Sequence, residues 1–202
     1  MRTVSTALLA ATLLLTGATA HAAVILPPGA TWEYTFVDPT GDPNWNTTTG
    51  GWQTGPAPFG NCVSGCGDFF PATQWPAGAG EPAPFTDDLW VRTTIDLTGY
   101  QLSTAAWNLG VDNGFKLYAN GVQVMGANGE GFTSRWEYNG TFLPGNLVNG
   151  LNVIAVALED HGGLTAFDMQ ITADAVPEPA SLLLFGTGAA ILARTRRRTR
   201  KA

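Results

Sequence analysis

Of the two histidines in the chain, His161 is the one set among acids, in the stretch LEDHGG (158–163) with Glu159 and Asp160. An imidazole beside carboxylates is raw material for general acid–base or nucleophilic catalysis. A hydrolytic triad would also need a separate acid on the imidazole and a serine within reach. Ser64, Ser103 and Ser134 are candidates, yet none stands in a nucleophile-elbow context. A glycosidase would need two carboxylates facing each other across a cleft, and the many acids here offer pairs without singling one out. The pattern therefore points to His161 on a solvated turn and to a domain that is not an enzyme.

Three other groups of residues could hold a ligand or a bridge. Asp38 and Asp42, with Asp87 and Asp88, could supply the oxygens of a structural Ca²⁺ site if the ends of the intervening segment meet; no other cofactor is expected. Cys62 and Cys66 enclose Val63, Ser64 and Gly65. In an oxidising compartment they are expected to form a disulfide across a tight turn, worth about 2 kcal/mol for so small a ring. No second cysteine pair or nearby histidine favours zinc instead. Trp45, Trp52 and Trp75 could offer flat faces to sugar rings, with amides and acids nearby for the hydroxyls. The other reading is that they fold down as a lid over the sandwich edge, since buried aromatics are the commoner case.

The elements that must position these residues are strands. TWEYTFV places Trp32, Tyr34 and Phe36 on one face. LWVRTTIDL sets Leu89, Val91, Ile95 and Leu97 opposite Trp90, Arg92, Thr94 and Asp96, the period of a half-buried strand. FKLYANGVQVM flanks Asn120-Gly121, the strongest short hairpin signal, because both turn positions need positive φ. LNVIAVAL is apolar on both faces and reads as an interior strand. TAFDMQIT turns Phe167, Met169 and Ile171 inward. The class is all-β, an antiparallel β-sandwich. Residues 38–87 break the alternation, with eight of the thirteen prolines, three of the seven tryptophans and both cysteines, and read as a long loop.

The two ends differ from this domain. Arg2, the apolar run from Ala7 to Leu15 and Ala20-His21-Ala22 read as a signal peptide, residues 1–22, cleaved after Ala22. Residues 23–176 are then one domain. Residues 177–202 open on Pro177-Glu178-Pro179, continue through 14 uncharged residues (180–193) and close on an arginine cluster. Fourteen residues span about 21 Å as a helix, short against a hydrocarbon core of about 30 Å, so this helix is a marginal, transient anchor. The arginines would stay in the cytoplasm, leaving the domain outside. Six of the ten cations lie in this tail and one in the leader. The domain keeps Arg92, Lys116 and Arg135 against fifteen acids, a balance of −12. Such a surface repels phosphate backbones, so nucleic acid is not an expected partner.

Val176-Pro177-Glu178-Pro179-Ala180-Ser181, the apolar run and the arginine-rich end together resemble the PEP-CTERM sorting signal. That resemblance implies recognition by an exosortase, removal of the tail near the Pro-Glu-Pro, and a place on the cell surface or in the extracellular matrix. It also implies a role tied to exopolysaccharide or biofilm. GPAPFG (55–60), WVRTTIDL (90–97), VDNGFKLYANGVQV (111–124) and GLNVIAVALED (150–160) resemble, in that order, the jelly-roll modules of the galactose-binding-domain-like superfamily. The implied reading is an exported, non-catalytic module that binds or organises extracellular polysaccharide. The alternatives are a structural or adhesive protein without a sugar site and, third, a secreted hydrolase.

Overall fold

Alternating strands of this kind bury one face each, and two sheets of them close a core between them. The structure, a computed structural model, describes residues 22–62, 69–76, 87–129 and 135–177, with Asp87 and Asp88 by their backbone alone. Residues His21–Val176 form one compact unit. Its strands in chain order are β1 (Ala22–Leu26), β2 (Thr31–Thr35), β3 (Gln53–Pro56), β4 (Phe59–Gly60), β5 (Thr73–Gln74) and β6 (Asp87–Asp96). Then follow β7 (Ala106–Asp112), β8 (Gly114–Ala119), β9 (Val122–Ala127), β10 (Tyr138–Thr141), β11 (Leu151–Glu159) and β12 (Ala166–Asp174). A single 3-10 turn, Leu102–Thr104, precedes β7.

One sheet runs β3-β2-β6-β11-β8-β9. The other runs β10-β7-β12-β4-β5, with β1 also on β12. Every pairing is antiparallel except the two-residue contact of β4 with β5. β12 is the hub of its sheet: β7 lies along one edge, while β4 and β1 share the other in tandem. Between the sheets lie Trp32, Phe59, Trp107, Leu117, Ile154, Leu158, Phe167 and their neighbours. The Trp32 and Phe167 rings meet edge to face at 5.3 Å.

The interior strand is β11, between β6 and β8. The hairpin is where Asn120-Gly121 puts it, joining β8 to β9 with φ of 50° and 82° at the two turn residues. The Asn120 amide also bonds Asn146 O and Asn152 Oδ1, and its carbonyl accepts from Val153 N. The tight turn is thereby tied to the start of β11.

Two patterns differ from simple alternation. Phe36 lies beyond the end of β2 and is 42% exposed, resting on the Tyr34 ring. On β6, Trp90 and Arg92 point away from the core yet are buried, because residues of the long loop cover that outer face. Ala155 and Ala157 stand opposite them on β11. Their small side chains leave room for Trp45, which packs with Trp90, both alanines, Trp52 and Tyr118 in a second, smaller core. That is why β11 is apolar on both faces.

Candidate functional site

The segment from Asp38 to Trp52 is held on the sheet by Arg92. Its Nε donates to Glu33 Oε2 at 2.9 Å, one terminal nitrogen to Trp45 O at 2.9 Å and the other to Gly50 O at 2.6 Å. The guanidinium carbon lies 3.8 Å from the centre of the Trp52 ring. Glu33 Oε2 also accepts from Gly50 N at 2.7 Å. A planar, five-donor side chain suits this work, since it can bond in several directions while stacking on an aromatic face.

Beside this staple, where the lid ends, a cleft of about 270 Å³ opens on the outer face of the sheet. Thr31 and Glu33 of β2, Thr54 of β3, Arg92, Thr93 and Thr94 of β6, and Thr49 of the lid line it. Periodicity places Thr94 outward. It could not show that Thr31, Thr54 and Thr49 come alongside, because that depends on strand order.

The three tryptophans do not form a common exposed face. Trp75 is fully buried in the main core and Trp45 is buried under the lid. Trp52 is half-buried with Arg92 across its ring. Of the two readings of these residues, the exposed platform does not hold: Trp45 and Trp52 fold down over Ala155 and Ala157, and Trp75 packs between the sheets.

Asp38 and Asp42 serve their own loop. Asp38 Oδ1 accepts from Thr40 N and Asp42 Oδ1 from Asn44 N, which are Asx turns. The Thr40 side-chain and backbone bonds hold the Asp38 carboxyl below its usual range. Among the described residues no group of three or more His, Cys, Asp or Glu could hold a metal ion. The Asp87 and Asp88 side chains lie outside the description.

Cys62 is buried against Phe69 and Ala166. Cys66 lies outside the described residues, as do Ala20, Glu178 and Pro179. Ala22 opens β1, and Pro177 is exposed.

The other sheet is closed in a similar way. Asp168 of β12 points outward yet is completely buried. Its Oδ1 accepts from Gly29 N and Met169 N, and its Oδ2 pairs with an Arg135 terminal nitrogen. Burial raises the Asp168 carboxyl, opposed by the Gly29 and Arg135 bonds. Arg135 in turn lies over the rings of Phe69 and Trp136. With Lys116 bonded to Glu159 at 3.1 Å, each of the domain's three cations is paired to an acid. Lys116 and Arg135 keep 41% and 27% of their side chains exposed.

His161 is not on a solvated turn. Its side chain is 3% exposed, with Nε2 3.5 Å from Glu159 Oε2, and its backbone N donates to Asn113 Oδ1. Asp112 and Asp160 are buried nearby. Burial pushes the Asp112 carboxyl up to about 6, reinforced by Asp160 and Glu137 and opposed by His161. Ser103 sits in the 3-10 turn before β7, whereas Asp112 ends that strand, about 20 Å away along it. Ser64 and Ser134 lie outside the described residues.

The domain's two ends leave side by side. Ala22 stands opposite Asp174 in the β1–β12 ladder. Beyond β12, Gln101 N donates to Asp174 O, Gln101 Nε2 to Ala175 O and Val176 N to Gly99 O. Among the described residues no helix is long and apolar enough to cross a membrane.

No match was found among curated proteins. Among solved structures, the chain is similar to an uncultured Clostridium sp. beta-glucuronidase at 9% identity and a TM-score of 0.47, covering 78% of this chain and 30% of that one. It is also similar to the Ruminococcus gnavus b-glucuronidase in complex with D-glucuronic acid, at 14% identity and a TM-score of 0.47, covering 76% and 29%. The chain thus spans about a third of the length of these enzymes. Residues 175–198 match the PEP-CTERM protein-sorting motif, so the chain carries that motif immediately after its last strand.

Proposed function

We propose that this chain is an exported, non-catalytic surface module, delivered by an exosortase and organising neutral extracellular polysaccharide. The observation that carries the sorting part is the PEP-CTERM motif at residues 175–198. A short apolar helix would pause the protein in the membrane until the tail is removed, and a Cys62–Cys66 bridge would form in the oxidising compartment outside. The internal pairing of all three domain cations supports a neutral partner, because the surplus of acids repels polyanions.

A second reading, a structural or adhesive module without a sugar site, is favoured by the burial of Trp45 and Trp75. Both readings take the domain as non-catalytic, which the burial of His161 supports. Co-sedimentation of the exported protein with the polysaccharide of the producing cells separates them. Co-sedimentation at millimolar sugar supports the first reading, and protein left wholly in the supernatant supports the second.

A further inference from the structure

We infer that the threonine-lined cleft beside the lid is a binding site for one ring of a neutral, polyhydroxylated ligand, the chemistry of a sugar unit within a chain. This rests on the polysaccharide reading above and names the place where contact would occur.

The lining supplies four outward hydroxyls, from Thr31, Thr49, Thr54 and Thr94, each able to donate one hydrogen bond and accept two. Thr93 Oγ1 donates to Thr31 O. The four outward hydroxyls make no hydrogen bond to the described protein and are free to meet a ligand. Threonine is stiff at χ1, so hydroxyls carried on β2, β3 and β6 are held in set directions.

Charge decides the ligand class. The two ionic groups in the lining, Glu33 and Arg92, are bonded to each other at 2.9 Å. An anion would find the guanidinium buried, with three of its N–H groups already given to Glu33, Trp45 O and Gly50 O. A cation would compete with Arg92 for the same carboxylate. A neutral polyol displaces neither.

Size and rigidity agree with this. The cleft, at about 270 Å³, is smaller than the roughly 300–1,000 Å³ of pockets that enclose drug-sized molecules, so it suits a single ring. Its lid wall is fixed before any ligand arrives, by Gly50 N on Glu33 and Gly50 O on Arg92, and binding therefore orders little of the protein. An open site without aromatic stacking should bind one unit weakly, with a Kd on the order of 0.1–1 mM. Many displayed copies would raise the effective strength.

The test is affinity electrophoresis of the exported protein in gels containing a neutral glucan, galactan or mannan, the polysaccharide of the producing cells, or a polyuronate. Wild type and the double variant Thr31→Val, Thr94→Val are compared; valine keeps shape and strand preference while removing the hydroxyl. Thr54→Val tests the cleft from a different strand, and Ser103→Ala is a distant control. The expected result is retardation of wild type and Ser103→Ala by a neutral polymer but not by the polyuronate. Binding should fall at least tenfold in the double variant and measurably in Thr54→Val, with melting temperatures unchanged. Undiminished retardation of both threonine variants overturns the cleft while leaving the polysaccharide reading standing. No retardation of wild type by any neutral polymer overturns both.

Discussion

Arg92 lies flat on Trp52, 3.8 Å from the ring centre, while its nitrogens hold Glu33, Trp45 O and Gly50 O. One side chain thus joins β2, β6 and both halves of the lid. The contact is a folding device in which a buried cation stacks on one ring and gives three hydrogen bonds.

Removing that cation leaves Glu33 and two carbonyls without their donor. Arg92→Ala is expected to cost about 3–5 kcal/mol, the range for breaking a buried ion pair by deleting one partner. Arg92→Lys should recover only part of this, because one ammonium cannot replace the stacked fork. Urea denaturation gives the energies, and limited proteolysis reads the lid: cleavage within residues 38–52 should rise before global unfolding. A lysine variant with wild-type stability and protection would show that the fork geometry contributes nothing.

Buried and exposed positions of β11 respond differently to charge. Ile154 is fully buried in β11, whereas Leu151 at the start of the same strand is 70% exposed. Ile154→Asp strands a carboxylate without a partner and should cost several kcal/mol, enough to unfold a marginal domain. Leu151→Asp should stay within about 0.5 kcal/mol of wild type. Similar melting of the two variants would contradict the assignment of β11 as the interior strand.

Much of this arrangement was legible in the sequence, and the exceptions share a cause. The Asn120-Gly121 hairpin and the β11 strand are local signals, fixed by turn geometry and by apolar residues on both faces. Periodicity also put Arg92 on the outward face of β6, correctly. It could not tell that the outward face is covered, because the covering residues, Trp45 and Gly50, lie more than 40 positions earlier. Asp168 is the same case on the other sheet, closed by Gly29 and Arg135 from distant parts of the chain. The tryptophans could be read as platform or lid for this reason, and the threonine cleft could not be read at all.

The acids around His161 give a pH-dependent prediction. The Asp112 carboxyl is raised to about 6 from a usual 3.8, so the folded state binds its proton more tightly than the unfolded chain does. That contribution to stability is fully present below pH 3.8 and is lost as pH rises through 6. Above pH 6 the folded protein carries a poorly solvated charge near Asp160 and Glu137, a penalty of about 1–3 kcal/mol. Asp112→Asn removes it. Paired denaturation curves should show the variant near wild type at pH 4 and increasingly more stable up to pH 7.5. A constant difference across that range would mean that Asp112 does not titrate as described.

The β1–β12 ladder places the two ends of the domain together. Cleavage after Ala22 removes only the first rung, Ala22–Asp174, and keeps the Ala23–Ala173 rung that follows. On the other side, hydrogen bonds from Gln101 to Asp174 O and Ala175 O and from Val176 N to Gly99 O hold the chain as far as Val176. The sorting motif therefore begins at the last two residues that the fold holds, Ala175 and Val176, and both processing events can occur without dismantling a sheet. Intact-mass measurement of exported protein should show a chain beginning at Ala23 and lacking Arg196–Arg200. The same gene in a host without an exosortase should give membrane-associated protein with the tail attached. Exported material still carrying those arginines would sink the processing claim. The fold makes a separate demand: a chain ended at Val176 should melt like the exported protein, whereas one ended at Thr172 loses the Ala23–Ala173 rung as well and the Gly99 and Gln101 bonds. At roughly 1 kcal/mol for each net hydrogen bond, that loss should lower the melting temperature by several degrees. Equal melting of the two would show that the paired ends do not hold the sandwich closed.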